Sequence, residues 1–272
     1  MAELSLLEAF RERRRQSVVG PQGNLALVNT QWISDTAAAQ PDWGVPGLWA
    51  PLPRGVSGLR LSATGDDGIR VDGELVDGTV IVAGMDALAP SSIRFSETIT
   101  GTIIAGEDGE YALRVWDAGS DAIRDFGAIE AFPYNPDWVV EATFEPIAGG
   151  GEVSIAHLRD EGTTRQRALP GDICFTRDGV DYRLAAFQDG PTLLLVFGDA
   201  TNGVLSYSMG RFLRVAPRDD GTLTLDFNRA YLPPCAFSYN FNCPIPPAPN
   251  RFQVPIEAGE RNVLSTGGDL LH

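Results

Sequence analysis

Asp-Gly recurs along this chain at 67–68, 72–73, 77–78, 108–109, 178–179, 189–190 and 220–221, with Asn202-Gly203 added. Between these pairs lie short runs of alternating or β-branched apolar residues, and Asp-Gly or Asn-Gly in that setting is the strongest short hairpin signal. In the first half the runs are Leu25–Ile33, Leu59–Leu61, Ile69–Val71, Thr79–Val82, Thr98–Ile104 and Tyr111–Val115. In the second half they are Trp138–Phe144, Glu152–Ala156, Asp172–Thr176, Tyr182–Phe187, Thr192–Phe197, Val204–Tyr207, Phe212–Val215 and Thr222–Phe227. Helices do not alternate with these strands, which disfavours a parallel doubly wound sheet. The expected fold is all-β and mainly antiparallel, in two packed sandwich- or barrel-like units.

One short helix is expected ahead of them. Leu4, Leu7 and Phe10 recur at helical spacing, with Glu3 and Glu8 early and Arg11, Arg13, Arg14 and Arg15 late, as the helix dipole favours. The arginine run reads as a solvated helix end. Boundaries follow as a helix over 1–20, a first β unit over 21–117, a crossover over 118–137 and a second β unit over 138–272. Residues 40–53, with four prolines, Trp43 and Trp49, read as a wrapping loop with aromatic anchors.

Charge narrows the function. The formal charge is −15 and all 21 basic residues are arginine, so the surface repels phosphate backbones and anionic lipid. Nucleic acid and membrane partners are therefore not expected. No stretch reaches the ~20 apolar residues of a membrane span and the N-terminus lacks a signal-like apolar run, which places the expected location in the cytoplasm. Cys174, Cys235 and Cys243 form no Cys-x-x-Cys, and only His157 and His272 could join them. Free thiols, no metal and no cofactor are the expectation. Oligomeric state is not encoded in any of these features.

Nucleotide-binding, serine-hydrolase and zinc-protease signatures are missing from the sequence. Three polar clusters remain: Arg114-Val115-Trp116-Asp117; Asp199 to Asn202 followed by Arg211; and a proline-rich stretch with Asn228, Arg229, Tyr231, Cys235, Asn250 and Arg251. Six prolines from Pro233 to Pro249 bar a helix interior or central strand there. Such a long irregular loop, carrying Tyr231, Phe237, Tyr239 and Phe241, reads as ordered and functional. It is expected to fold over the end of the second unit.

Several stretches together resemble a known family. They are Gly210-Arg211-Phe212-Leu213, the run Leu225 to Phe237, Cys243-Pro244-Ile245-Pro246-Pro247, Asn250-Arg251 and Glu257-Ala258-Gly259-Glu260. This is similar to the closing signature of domain-of-unknown-function family 1684, and Phe10-Arg11, Arg114 to Asp117 and Phe132-Pro133 resemble its earlier landmarks. Leu232 departs from the family's usual asparagine. The resemblance brings no assigned activity, but it implies that Arg114, Asp117, Asp199, Arg211, Asn228, Tyr231, Cys235 and Asn250 converge on one pocket.

The leading functional reading is a pocket roofed by residues 226–251. There Arg114, Arg211 or Arg229 binds a small carboxylate or phosphate that Asn228 and Tyr231 orient, with Cys235, Asn250 and Arg251 also among the ligand-binding residues. A second is a metal-independent hydrolase or lyase with Asp117 and Asp199 as acid and base, Tyr231 or Cys235 assisting. A third is an interaction module, because residues 55–115 have the cadence of a forkhead-associated sandwich. The arginine, serine and histidine landmarks of phosphopeptide reading are not in order there.

Overall fold

The computed structural model describes residues 2–34, 39–42, 44–106, 109–159 and 164–271, with side chains from residue 4. The expectations placed on Trp43, Asp108 and His272 lie outside the described residues. Helix α1 (Ala2–Val18) opens the chain, which divides into one unit of residues 16–125 and another of residues 1–15 with 126–272. No helix among the described residues is long and apolar enough to cross a membrane.

The first unit contains β1 (Leu27–Ile33), β2 (Gln40–Pro41), β3 (Leu48–Pro51), β4 (Leu59–Ala63), β5 (Arg70–Val71), β6 (Glu74–Leu75), β7 (Gly78–Val82), β8 (Ile93–Arg94), β9 (Ile99–Ala105) and β10 (Tyr111–Asp117), and ends in α2 (Asp121–Asp125). Two sheets form, β2-β3-β4-β7 and β1-β10-β9-β8-β5-β6. Between them Trp49, Leu59, Leu61 and Val82 share a core with Ile33, Ile103, Leu113 and Val115, as the strand period of two requires. Residues 40–53 are not the wrapping loop expected from their prolines. They supply β2 and β3, because Pro41 lies on an edge strand and Pro51 ends its strand, positions where no ladder donor is lost.

The second unit carries β11 (Phe126–Ala131), β12 (Val139–Ala156), β13 (Thr164–Arg177), β14 (Val180–Asp189), β15 (Thr192–Phe197), β16 (Arg211–Val215), β17 (Thr222–Asp226) and β18 (Glu260–Ser265). Six strands run β16-β15-β14-β13-β12-β17, so the two outer strands are neighbours in sequence and the antiparallel sheet is nearly closed, like a barrel. β11 and β18 pair separately. Leu184, Leu195, Leu213 and Leu225 point into the sheet's interior, and Phe252, Ile256 and Ala258 enter it from the polypeptide that follows the proline-rich loop. The rings of Phe197, Phe227 and Phe252 meet edge-on at 5.2–6.1 Å.

Two Asp-Gly pairs make the turns their chemistry requires. Asp72 and Gly73 join β5 to β6 with φ of 53° and 89°, and Asp178 and Gly179 join β13 to β14 with 52° and 76°, the paired positive angles of a type I′ turn. Val204–Tyr207 is not a strand. The carbonyl of Thr201 accepts from the N–H groups of Val204, Leu205 and Ser206 at 2.8–3.1 Å, which removes the donors a ladder would use. The two runs expected at Trp138–Phe144 and Glu152–Ala156 lie on the single strand β12, whose register on β13 shifts between Pro146 and Gly151.

Candidate functional site

The residues singled out in the sequence separate into several environments. Arg114 and Asp117 belong to β10 of the first unit, where Arg114 lies opposite Thr30 and Thr102, and an oxygen of Asp117 accepts from the Gly119 N–H at 2.8 Å. The others lie in the second unit.

Arg211, on β16, has no exposed surface. Its guanidinium meets the Asp199 carboxylate at 2.6 Å, and also donates to the carbonyls of Ile256, Ala258 and Glu260. The second oxygen of Asp199 accepts from the N–H groups of Thr201 and Ile256. Both oxygens of Asp199 are bonded, and of the buried Arg211 guanidinium only Nε is left without a partner among the described residues, so the acid-base role expected of Asp199 and the anion-binding role expected of Arg211 give way to a clamp. It fastens residues 256–260 to β16. A buried charge is tolerated only when paired and hydrogen-bonded, which explains why these two polar residues occur together.

Other signature residues are clamps of the same kind. Asn228 accepts from the Asn135 N–H at 2.7 Å and donates to the Asn135 carbonyl at 2.9 Å, joining the loop to the segment after β11. Asn250, fully buried, accepts from the Ala185 N–H and donates to the carbonyls of Ala185 and Val196. Tyr231 pairs through its backbone with Phe212, and burial pushes its phenol above the ordinary value, with Arg214 and Arg14 opposing. That shift runs against use as a base near neutral pH. Cys235, in the loop itself, is buried. Leu232 is also buried, and it is its backbone N–H that donates to Glu260, at 2.8 Å.

Two of the predicted arginines do face cavities. Arg229 is exposed, with its guanidinium 5.3 Å from the centre of the Phe10 ring. It lines a space of about 350 Å³ with Arg214, Asp226 and, from α1, Leu6 and Leu7. Arg214 is held to Asp189 at 2.6 Å.

Arg251 lines a different cavity, also about 350 Å³, between the proline-rich loop and the segments 198–202 and 208–210. The loop contributes Ile245 and Pro246. The facing wall is Gly198 and the run Ser208-Met209-Gly210. Arg251 Nε donates to the Pro246 carbonyl at 3.0 Å, which orients the guanidinium, and among the described residues no carboxylate pairs with it. The N–H groups of Ser208, Met209 and Gly210 meet no acceptor among the described residues. Gly210 holds φ 87°, and a Cβ there would come within 2.5 Å of the Phe197 carbonyl and 2.7 Å of Pro246, so only glycine lets this wall and the loop approach so closely. The sequence reading missed Ser208 and Met209. Their signal is slight, a polar residue and a thioether just before a glycine-arginine pair.

The second unit is thus a nearly closed antiparallel β sheet with a small cavity beside its proline-rich loop, lined by Arg251, Asp199 and Asn202 among others. The chain belongs to the family described as protein of unknown function (DUF1684), whose model matches residues 124–261. That span covers β11 to the start of β18 and the whole Arg251 cavity. The chain is also similar to an uncharacterized protein of Haloarcula marismortui solved by NMR, with 34% identity over 50% of this chain and 77% of that one and a TM-score of 0.42. No curated protein matches.

Proposed function

We propose that the second unit binds a small anionic metabolite, a carboxylate or phosphate, in the cavity beneath the proline-rich loop. The observation that carries this reading is Arg251: a guanidinium oriented by the Pro246 carbonyl, free of any carboxylate among the described residues, at a cavity of about 350 Å³. Successive backbone N–H groups can make anion-binding concavities, and Ser208-Met209-Gly210 lines the same cavity as the arginine. In a chain of net charge −15, an exposed arginine that lines a cavity and has no carboxylate partner among the described residues favours anions there.

The hydrolase reading has less support. Asp199 is committed to Arg211, and the Asp117 carboxylate accepts from its own turn. The interaction reading rests on the sandwich of the first unit alone, and fold by itself does not imply function.

Titration calorimetry with a panel of small carboxylates and phosphate esters tests the proposal. Arg251→Ala should weaken binding by about 10- to 100-fold, the equivalent of the ~1.5–3 kcal/mol of a charged hydrogen bond. Arg229→Ala, in the separate cavity under α1, should leave the affinity within about twofold of the parent. Equal affinity in the Arg251→Ala and parent proteins would overturn the assignment.

A further inference from the structure

The second unit also holds a pair of thiols that anion binding does not use. Cys235 lies in the short turn Pro234–Ala236, and Cys243 follows eight residues later. Both are buried, at 1% and 6% exposure, and neither is in a disulfide. The Cys235 N–H donates to Cys243 Sγ at 3.2 Å. Since a cysteine's own nitrogen and sulfur are only three bonds apart, that contact brings the two thiols close together. Tyr207 is a third member of the cluster, close enough to bear on the titration of Cys235. Pro233, Pro234 and Pro244 restrain the backbone on both sides of the pair, so little chain entropy remains to be lost on closing a ring.

We propose that Cys235 and Cys243 form an oxidisable dithiol, converted by a hydroperoxide into an intramolecular disulfide. The Cys235 thiolate attacks one peroxide oxygen; the O–O bond breaks, the sulfur becomes sulfenic acid, and the departing hydroxide takes up a proton. The Cys243 thiol then attacks the sulfenic sulfur, an S–S bond forms, the S–O bond breaks, and the hydroxyl leaves as water with the thiol proton. Two thiols lose two electrons in all, and one hydrogen peroxide becomes two waters.

Both sulfurs are buried, so what sets Cys235 apart is its hydrogen bonding. Donation from Cys243, and then from Tyr207, draws Cys235 below the ordinary thiol range despite its burial. Burial pushes the half-exposed Cys174 the other way, and the Tyr207 phenol is likewise held above its ordinary value, so it stays a donor. A thiolate is the nucleophile, and its fraction sets where oxidation begins. Tyr207 directly precedes Ser208 of the cavity wall. The dithiol nevertheless stands on its own geometry and not on the anion reading.

The test is a time course of the reduced full-length protein with hydrogen peroxide, quenched by alkylation and read by intact mass and peptide mapping. The expected result is a loss of two hydrogens mapped to a Cys235–Cys243 bridge, formed several-fold faster than any oxidation of Cys174. Dithiothreitol should reverse it. Cys243→Ser should stop at a dimedone-reactive sulfenic acid on Cys235, and Tyr207→Phe should slow the bridge several-fold. Oxidation of Cys174 ahead of the pair, or recovery of Cys235 and Cys243 as free thiols after Cys174 is consumed, would overturn the proposal. Those two outcomes are read in the wild-type chain and hold even where a variant fails to fold.

Discussion

A guanidinium with no exposed surface has to be matched inside the protein, and Arg211 is matched by Asp199 at 2.6 Å and by carbonyls of residues 256–260. Burial pulls its pKa below the ordinary value and the Asp199 charge opposes that. Removing one partner leaves an uncompensated buried charge, at a cost of about 3–5 kcal/mol. Asp199→Asn should therefore lower the urea midpoint of the second unit strongly, while Asp199→Asn with Arg211→Met should lose less than Asp199→Asn alone. Asp42 sets up a different test in the first unit. Its Oδ1 accepts from Asn29 at 2.6 Å, its Oδ2 has no partner among the described residues, and burial raises its pKa to about 6 against the opposing Asn29 bond. A carboxyl whose folded pKa lies above its unfolded value binds more protons when folded, so its contribution falls as pH rises from about 4 through about 6. Melting curves at pH 5 and pH 8 should show a less stable first unit at the higher pH. Asp42→Asn, which keeps the acceptor for Asn29 and cannot ionise, should remove that part of the difference.

Helix α1 is bound to the second unit by the arginine run that reads, in sequence, as a solvated end. The run is divided by the helical repeat. Arg13 and Arg15 are exposed, whereas Arg11 donates to the Phe132 carbonyl at 2.9 Å and Arg14 makes two bonds to Glu260 at 2.9 and 3.0 Å. Arg14 also sits 4.8 Å above the Tyr231 ring, at the start of the proline-rich loop. Glu260 has a side chain only 3% exposed, and it further accepts from the Leu232 N–H. Arg14→Ala should cost about 3 kcal/mol, the lower end of the range for a broken buried pair because Arg14 keeps some solvent. Arg13→Ala should stay within about 0.5 kcal/mol of the parent. Urea unfolding of the two variants, followed by a probe in the second unit, decides between a strap and a solvated helix.

For the chain as a whole, 36 acidic residues against 21 arginines produce self-repulsion in any compact state. Local exposed pairs such as Arg218 with Glu141, 3.2 Å apart, relieve little of it, since surface ion pairs contribute about 0–1 kcal/mol each. Raising sodium chloride from about 10 mM to about 300 mM cuts the Debye length from ~30 Å to ~6 Å. Calorimetry should accordingly show transitions moving to higher temperature with salt. A fall in stability would mean that attractive pairs outweigh the net repulsion.

The sequence by itself determined whatever depends on local dihedral chemistry. Asp72-Gly73 and Asp178-Gly179 require positive φ and so fix two hairpins; Leu7 and Phe10 give the helix its period; the prolines after Tyr231 keep the loop between β17 and β18 out of regular strands. A family signature was legible too, as a string of residue types. The tasks of its members were not. Asp199 with Arg211, Asn250 with Ala185, and Arg14 with Glu260 are partners separated by 12, 65 and 246 residues. No periodicity encodes which buried donor will meet which buried acceptor. Only the tertiary structure decided that most of the signature residues in the second unit clamp a loop in place and that Arg251 is left facing a cavity, because a polar side chain's role is set by whether folding gives it a partner, and that partner comes from elsewhere in the chain.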